Sequence, residues 1–594
     1  MSRLTRVSIA VLSGLSVSVL PGTVRSFTNT YLACDTAVFR SLTGVTATVN
    51  PPEPLGPVLE PEFPWEIGTL SYFCVMEDQG LYKMWYGSYE AGLADRWICY
   101  ATSIDGLNWT KPALGIVEYQ GSHENNLLPI DFSDGGAVFI DPLAPAESRY
   151  KILGQSPLPL IYESPDGINF VQVGDTLLDL LADSHNQLFY DDRRGTYTAY
   201  LRSWNYRPEN DSVAVPVRTV SRLEIADPTL PWPYTPLDSP LYLWGSGKPP
   251  CISTEFDVVM APDSLDPLDI DIYNPCVNQY LEAADAYFAF PSIYHHWPPP
   301  PEGKFYNDGI LHIQVAFSRD GINWIRYRAP YVDNNCCGDS LLAMYMASGM
   351  LRIGNYYYQY FNGLKESHGD TLHTSKYFGM RQRIDGFVSL DAANDWGIAS
   401  TNTLVFEGNM LLMNYQAETD GSVLVELQDG NGIPIAGHAL ADADTLRGDR
   451  LSGPVSWGGH LDLSSLDGTS TRIRVAMKNA RLFSFRFDFD PSLDIDDTEL
   501  PASTFSLHQN YPNPFNSQTQ IRFDLVRSTH VELALYNVLG ERVRVLVNGP
   551  MPPGSHSVNW DGCDQAGRSL AASVYFYRLT AGDESKTLKM VLLK

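Results

Sequence analysis

The sequence predicts an all-β chain: a five-bladed β-propeller, then a β-sandwich, then a third β domain at the C-terminus. Three observations predict it. One turn recurs as Ser103-Ile-Asp-Gly-Leu-Asn-Trp109, Ser164-Pro-Asp-Gly-Ile-Asn-Phe170 and Ser318-Arg-Asp-Gly-Ile-Asn-Trp324, with a degenerate copy from Ser221 to Trp232. Strand-length runs of aromatic and β-branched residues lead into each copy. After residue 395 the pattern changes to alternation with period two, as in Gly421-Ser-Val-Leu-Val-Glu-Leu427.

The blades follow in order. Tyr82-Lys-Met-Trp-Tyr86 leads through Trp97–Ser103 to the first turn, and Tyr150–Gly154 through Leu160–Ser164 to the second. Tyr197–Leu201 leads through Arg218–Arg222 to the degenerate third, and Tyr287–Pro291 through Leu311–Ser318 to the fourth. Ile353–Gly363 is a fifth start. The Asp-Gly pair suits a tight hairpin, because Gly accepts positive φ and Asp bonds its own backbone. A unit repeated around a centre buries its apolar face against its neighbours, and five units make a small propeller with a narrow axial channel. A β-sandwich with chance turn similarity is the alternative; it leaves the constant place of the turn after each hairpin unexplained.

At 594 residues the chain exceeds one ordinary core. A formal charge of −28 disfavours nucleic acid and anionic surfaces as partners. Residues 1–26 have a basic start, a short apolar core and a small polar exit, which predicts a secretory signal peptide; no later stretch is long enough to be a transmembrane segment. Export permits disulfides among Cys34, Cys74, Cys99, Cys251, Cys276, Cys336, Cys337 and Cys563, with the partners of the vicinal pair left open.

The expected divisions are a propeller with an N-terminal extension over 27–395, a sandwich over 396–490, an acidic linker over 491–504 and a C-terminal domain over 505–594. The last contains His508-Gln-Asn-Tyr-Pro-Asn-Pro-Phe-Asn516 and then alternating runs at 521–525, 531–540, 554–562, 574–579 and 587–594. It closely resembles the C-terminal sorting domain of the type IX secretion system. That resemblance implies an immunoglobulin-like sandwich recognised by the type IX machinery and delivery to the cell surface or medium.

Each candidate first strand of a blade follows a carboxylate: Glu66, Asp134, Asp183, Asp271 and Asp339. Acids gathered at one end of a channel repel one another and raise at least one pKa, so that a pair supplies both acid and base. Capping of turns by Asp is the competing explanation for each. Residues 50–390 resemble, in architecture and in the Ser-x-Asp-Gly-x-x-Trp turns, the five-bladed glycoside hydrolase superfamily of invertases, fructanases, arabinanases and β-xylosidases. The resemblance implies three acids. The first-blade nucleophile or base maps to Glu66 in Glu62-Phe-Pro-Trp-Glu66, where the Asn-Asp-Pro-Asn-Gly motif of invertases is absent. The middle-blade sugar-positioning acid maps to Asp183, with Asp141-Pro142 as a second match. The general acid maps to Asp271 by blade order, or to Glu255 or Glu282 by residue type.

Trp65, Trp85, Trp204, Trp244 and Trp297 offer faces for sugar stacking, or blade packing. Arg202 and Arg218 suit substrate hydroxyls, a carboxylate or a sulfate; His123, His185, Asn186 and His368 complete the expected substrate-binding set. No His-Glu-x-x-His, P-loop, EF-hand or Gly-x-Ser-x-Gly element points to another catalytic class. No cofactor is required; an axial Ca²⁺ occurs in this superfamily, and no run of oxygen ligands here demands one. The sequence therefore predicts a secreted glycoside hydrolase acting on an external carbohydrate through paired carboxylates. The alternatives are a non-catalytic glycan-binding surface protein and, with weaker support from the sparse Lys and Arg, a glycoside phosphorylase.

Overall fold

The computed structural model describes residues 25–26 and 30–490, except 91–95, 131–133, 156–157, 180–181, 183–184, 210–212, 236–254, 284, 297–307, 339 and 371–373. It also describes 505–593, except 509, 511–512, 514, 517, 526–527, 538–540, 553 and 583. Residues 1–24 of the expected signal peptide and the expected linker lie outside the described residues. The chain forms two compact units, Met1–Asp494 and Ile495–Lys594.

The first unit is all-β and contains five successive sheets. The first holds Thr69–Asp78, Leu81–Tyr89 and Arg96–Ser103; the second Asp134–Ile140, Tyr150–Gln155, Pro159–Ser164 and Val171–Val173. The third holds Gln187–Asp191, Thr196–Glu209, Val213–Ile225 and Asp257–Met260. The fourth runs from Ile270–Asn274 to Trp324–Val332, and the fifth contains Ala343–Met346, Leu351–Ile353, Tyr356–Leu364 and Ser375–Arg383. The fifth is completed from the N-terminal side by Glu53–Leu59, which pairs with Ser375–Arg383. Each sheet touches the next, and the fifth touches Thr69–Asp78 of the first, so the succession closes.

The recurring turn is built identically three times. Asp105, Asp166 and Asp320 each accept the backbone N–H groups two and three residues on, the preceding Ser hydroxyl and the following Asn amide. It is therefore a longer loop clamped by one carboxylate, not the two-residue hairpin that Asp-Gly suggested, because the side chain replaces the missing strand pairing. Its glycine seals the neighbouring sheet. The carbonyls of Gly106, Gly167 and Gly321, all at positive φ, accept from Tyr360 Oη (2.7 Å), Trp85 Nε1 (2.6 Å) and Tyr200 Oη (2.8 Å) of the preceding sheet. A Cβ at Gly167 would meet the Trp85 ring at 2.8 Å, so glycine is required by approach as well as by φ.

A second joint also repeats. A Tyr at or next to the start of a strand donates to an acid at or just beyond a strand end of the preceding sheet: Tyr150 to Asp78, Tyr197 to Asp141 (2.9 Å), Tyr287 to Asp191 (2.8 Å) and Tyr357 to Glu282 (3.2 Å). Buried hydroxyls need a partner, and here the partner ties sheet to sheet.

The sixth sheet has ten strands and draws on both ends of the first unit. Thr30–Leu32, Phe39–Thr43 and Thr46–Val49 pair with strands between Val388 and Asp488, the longest being Met410–Asp429 and Ser470–Asp488. The division expected at 395/396 thus cuts through one hydrogen-bonded sheet, since Val388–Ala392 pairs with both Thr46–Val49 and Ser470–Asp488. Tyr31, Leu411, Val425, Val475 and Phe485 fill its core. Separation in sequence hid this pairing.

The second unit is an immunoglobulin-like sandwich of a three-stranded and a five-stranded sheet, packed around Trp560, Phe523, Leu533 and Tyr577. Its Asn-rich lead-in is a set of backbone clamps: Asn513 Oδ1 accepts from Val591 N (2.8 Å), and Asn510 N donates to Tyr577 Oη (2.8 Å).

Candidate functional site

Alternation along the strands assembles one polar and aromatic cluster. Residues two apart share a face of a strand, so Arg202 with Trp204, Asp271 with Tyr273, and Tyr294 with His296 each project together. Cross-strand register then joins the pairs: Trp204 lies opposite Arg218, and Asp271 opposite Tyr294. Tyr72 from the first sheet, Tyr345 from the fifth and His368 beyond it complete the group.

At its heart is a buried Arg–Asp ion pair with a histidine beside it. Arg218 donates to Asp271 Oδ2 at 2.8 Å, and His296 Nε2 lies 2.9 Å from the same oxygen. The Arg218 and Asp271 side chains are 1% and 2% exposed, so the charges are held by each other and not by water. The Arg218 guanidinium also faces the rings of Trp204 (4.5 Å), Tyr273 (5.1 Å) and Tyr294 (5.3 Å). Burial works to raise the Asp271 carboxyl. The His296 hydrogen bond and the Arg218 charge outweigh it and hold the group below the ordinary carboxylate value. Asp271 is accordingly ionised at neutral pH, and the general-acid role expected of it needs a proton that this setting removes.

A chain of hydroxyls and imidazoles runs beside this group. Tyr72 Oη donates to Tyr273 Oη (3.2 Å), Tyr273 Oη lies 3.5 Å from His368 Nε2, and His368 Nδ1 lies 2.6 Å from Tyr345 Oη. Arg202 stacks 3.8 Å over the Tyr273 ring and donates Nε–H to the Tyr273 carbonyl at 2.9 Å. Asn186 Oδ1 accepts the Arg202 backbone N–H, which fixes that strand end. His185, at φ 59, stacks on Tyr72, and its ring nitrogens face Asn274 (3.3 Å) and Ser348 (3.1 Å). Burial, and then the Arg202 charge, push His185 down to about 4, so the imidazole is neutral. Ser348, the partner of His185, also lines a cavity of about 220 Å³ together with Val75, Val138, Gln187 and Asn278 from four of the sheets and Gly349 from a loop of the fifth.

Asp308 anchors the His368 loop: its Oδ1 accepts from Gly309 N (2.7 Å) and Gly369 N (2.9 Å). Partial burial opposes ionisation there, and the Ser367 hydroxyl with these backbone donors holds the carboxyl below its ordinary value.

Several expected site residues stand elsewhere. Glu66 is fully buried in the turn Pro64–Glu66, where Oε1 accepts from Tyr86 (2.6 Å) and Oε2 from Glu62 N (2.9 Å), Phe63 N (3.2 Å) and Lys111 (2.8 Å). Four donors on one carboxylate organise a turn, and none of them belongs to the cluster around Asp271. Glu282 belongs to the Tyr357 joint and pairs with Arg352; Glu255 closes a loop on Thr235. Trp65 bonds Asn126 and stacks on Phe63, and Trp85 seals the Gly167 turn, so both are packing residues. His123 is exposed on a loop outside the cluster. Asp183, Asp339, Trp244 and Trp297 lie outside the described residues, as does the Asp134 side chain. Arg202, Trp204, Arg218, Asp271, His185, Asn186 and His368 are brought together. Sequence reasoning missed Tyr72, Tyr273, Tyr294, His296, Asp308 and Tyr345, although the Asp271/Tyr273 and Tyr294/His296 alternation was a usable signal. Among the described residues, no group of three or more His, Cys, Asp or Glu side chains is placed to hold a metal ion.

Residues 512–585 match the family described as FlgD Ig-like domain. No curated protein matches the chain. Among solved structures, it is similar to one described as a glycoside hydrolase, at 14% identity and a TM-score of 0.37 over 56% of this chain and 92% of that one. It is similar to a family 43 arabinoxylan arabinofuranohydrolase from Bacillus subtilis, at 10% identity and a TM-score of 0.33 over 73% and 99% of the two chains. A glycosyl hydrolase from Bacteroides ovatus gives 12% identity and a TM-score of 0.35 over 58% and 94%. No helix among the described residues is long and apolar enough to cross a membrane.

Proposed function

We propose that the five sheets are the blades of a five-bladed β-propeller and that the cluster around Asp271 is the active site of a glycoside hydrolase acting on an extracellular poly- or oligosaccharide. One observation carries the reading: a fully buried carboxylate is kept ionised by Arg218 and His296 inside a wall of aromatic rings. Arg218 and His296 both engage Oδ2 of this carboxylate. An anionic carboxylate there stabilises positive charge developing on a sugar ring or activates water against it. Tyr273, Tyr294 and Trp204 give the sugar apolar faces. The sugar-positioning acid that the resemblance implies maps to Asp183, which lies outside the described residues.

The C-terminal unit is proposed as a type IX sorting domain, which carries the chain across the outer membrane and takes no part in the chemistry. Residues 1–26 are the proposed signal peptide for the first export step.

A glycan-binding protein without turnover is the second reading. It is favoured by the fact that the carboxylate at the centre of the described cluster is already held by Arg218 and His296. Release of reducing ends from a broad glycan panel, unchanged by added phosphate, supports hydrolysis. Retention of a glycan with no release across the panel supports binding alone, and phosphate-dependent release supports a phosphorylase.

A further inference from the structure

The turn between the fourth and fifth sheets carries Cys336 and Cys337, both half-buried, with Sγ atoms 3.0 Å apart. The turn is firmly mounted. The Asn334 side chain donates to the carbonyls of Leu311 (3.0 Å) and Leu341 (2.6 Å), Leu341 N donates to Asn334 O (2.9 Å), and Cys336 N donates to Asp333 O (3.1 Å). Other described thiols serve packing: Cys276 Sγ donates to Ala347 O (2.7 Å), and Cys74 Sγ accepts from Val138 N (3.3 Å).

We propose that Cys336 and Cys337 are a redox modification site, which closes to a vicinal disulfide in an oxidising compartment. The export proposed above supplies only the compartment; the site itself is independent of the catalytic reading. In the reaction, one thiolate attacks a sulfur of a disulfide-bearing oxidant, forming a mixed disulfide and releasing one thiol of that oxidant. The second thiolate then attacks the protein-side sulfur, forming the Cys336–Cys337 bond and releasing the oxidant's second thiol. Two electrons and two protons leave the pair, and the oxidant's disulfide becomes two thiols.

Adjacent Cα atoms sit about 3.8 Å apart, closer than in most disulfides, the condition under which such bonds are readily reduced. The loop closed is the shortest the chain allows, so closure contributes almost no loop entropy to global stability. Its effect is local. The hydrogen-bonded Leu341 lies just before Ala343–Met346, the strand that carries Tyr345 of the cluster.

The test uses the purified full chain, treated with oxidised glutathione, alkylated with iodoacetamide and mapped by peptide mass spectrometry. The expected peptide spanning 336–337 is lighter by two hydrogens, takes no alkyl group, and takes two after dithiothreitol. In Cys336→Ser the same treatment should leave Cys337 alkylated or glutathionylated. Two alkyl groups, or two glutathiones, on the oxidised wild-type peptide would overturn the proposal, as would a bridge from either cysteine to a third. None of these outcomes depends on catalysis.

Discussion

Replacing Asp271 by Asn keeps the shape of the side chain and removes the charge that compensates Arg218. Both groups are almost completely buried, so water is not there to take over. Breaking a buried ion pair from one side costs about 3–5 kcal/mol. A unit the size of Met1–Asp494 unfolds with an entropy of about 1 kcal/mol per degree, so the melting temperature should fall by about 3–5 °C. Differential scanning calorimetry of the full chain, following the larger transition, reads this directly. The pH dependence has a definite sign. Because the folded carboxyl is held below the ordinary 3.8, the unfolded chain takes up the proton first on acidification. The deficit of the variant should therefore be full at neutral pH, persist at pH 5, and close only as pH falls through the depressed folded value. A shift below about 1 °C, or a deficit that has vanished by pH 5, would refute the argument that Arg218 and His296 hold an ionised Asp271.

Gly167→Ala should destabilise by about 2–5 kcal/mol, combining the positive-φ cost with collision against Trp85, whereas Gly195→Ala, at similar φ with open space around it, should cost only about 1–2 kcal/mol by denaturant unfolding. His185 is depressed from 6.5 to about 4, so the unfolded chain binds its proton first and stability falls as pH drops through that window, by about 3 kcal/mol in wild type. His185→Asn, which tolerates the positive φ, should give a visibly shallower slope; an unchanged slope would assign the loss to other groups. Removing residues 505–594 should leave the circular dichroism and activity of the first unit intact and abolish surface delivery in a host with type IX machinery. Loss of activity with the fold retained would count against the division.

The turn repeat was legible because its chemistry is local: Ser, Asp, Gly and Asn within seven residues satisfy one another, and each copy can be read without its neighbours. The Tyr-to-acid joints were only half legible. Tyr150, Tyr197 and Tyr287 marked strand starts, while their partners Asp78, Asp141 and Asp191 lie 56 to 96 residues away. The same distance concealed the pairing of Thr46–Val49 with Val388–Ala392. Among the cluster residues, Asp271 and the two arginines had been singled out from residue type and order. The setting of Glu66 was not legible because a carboxylate before a strand serves equally as the keystone of a turn, and the four donors around it come from Glu62, Phe63, Tyr86 and Lys111. The tyrosines were missed because a buried phenol facing a cluster has the same sequence signature as one packed between sheets.

The most direct test of the account is release of reducing ends by wild type and Asp271→Asn, measured as kcat on the best substrate from the glycan panel, with circular dichroism as the control for folding. The account predicts release by wild type and a fall of about 10²–10⁴-fold in the variant at 25 °C, where the destabilised protein is still folded. Equal kcat in the two proteins, or no release by wild type from any glycan, would contradict it.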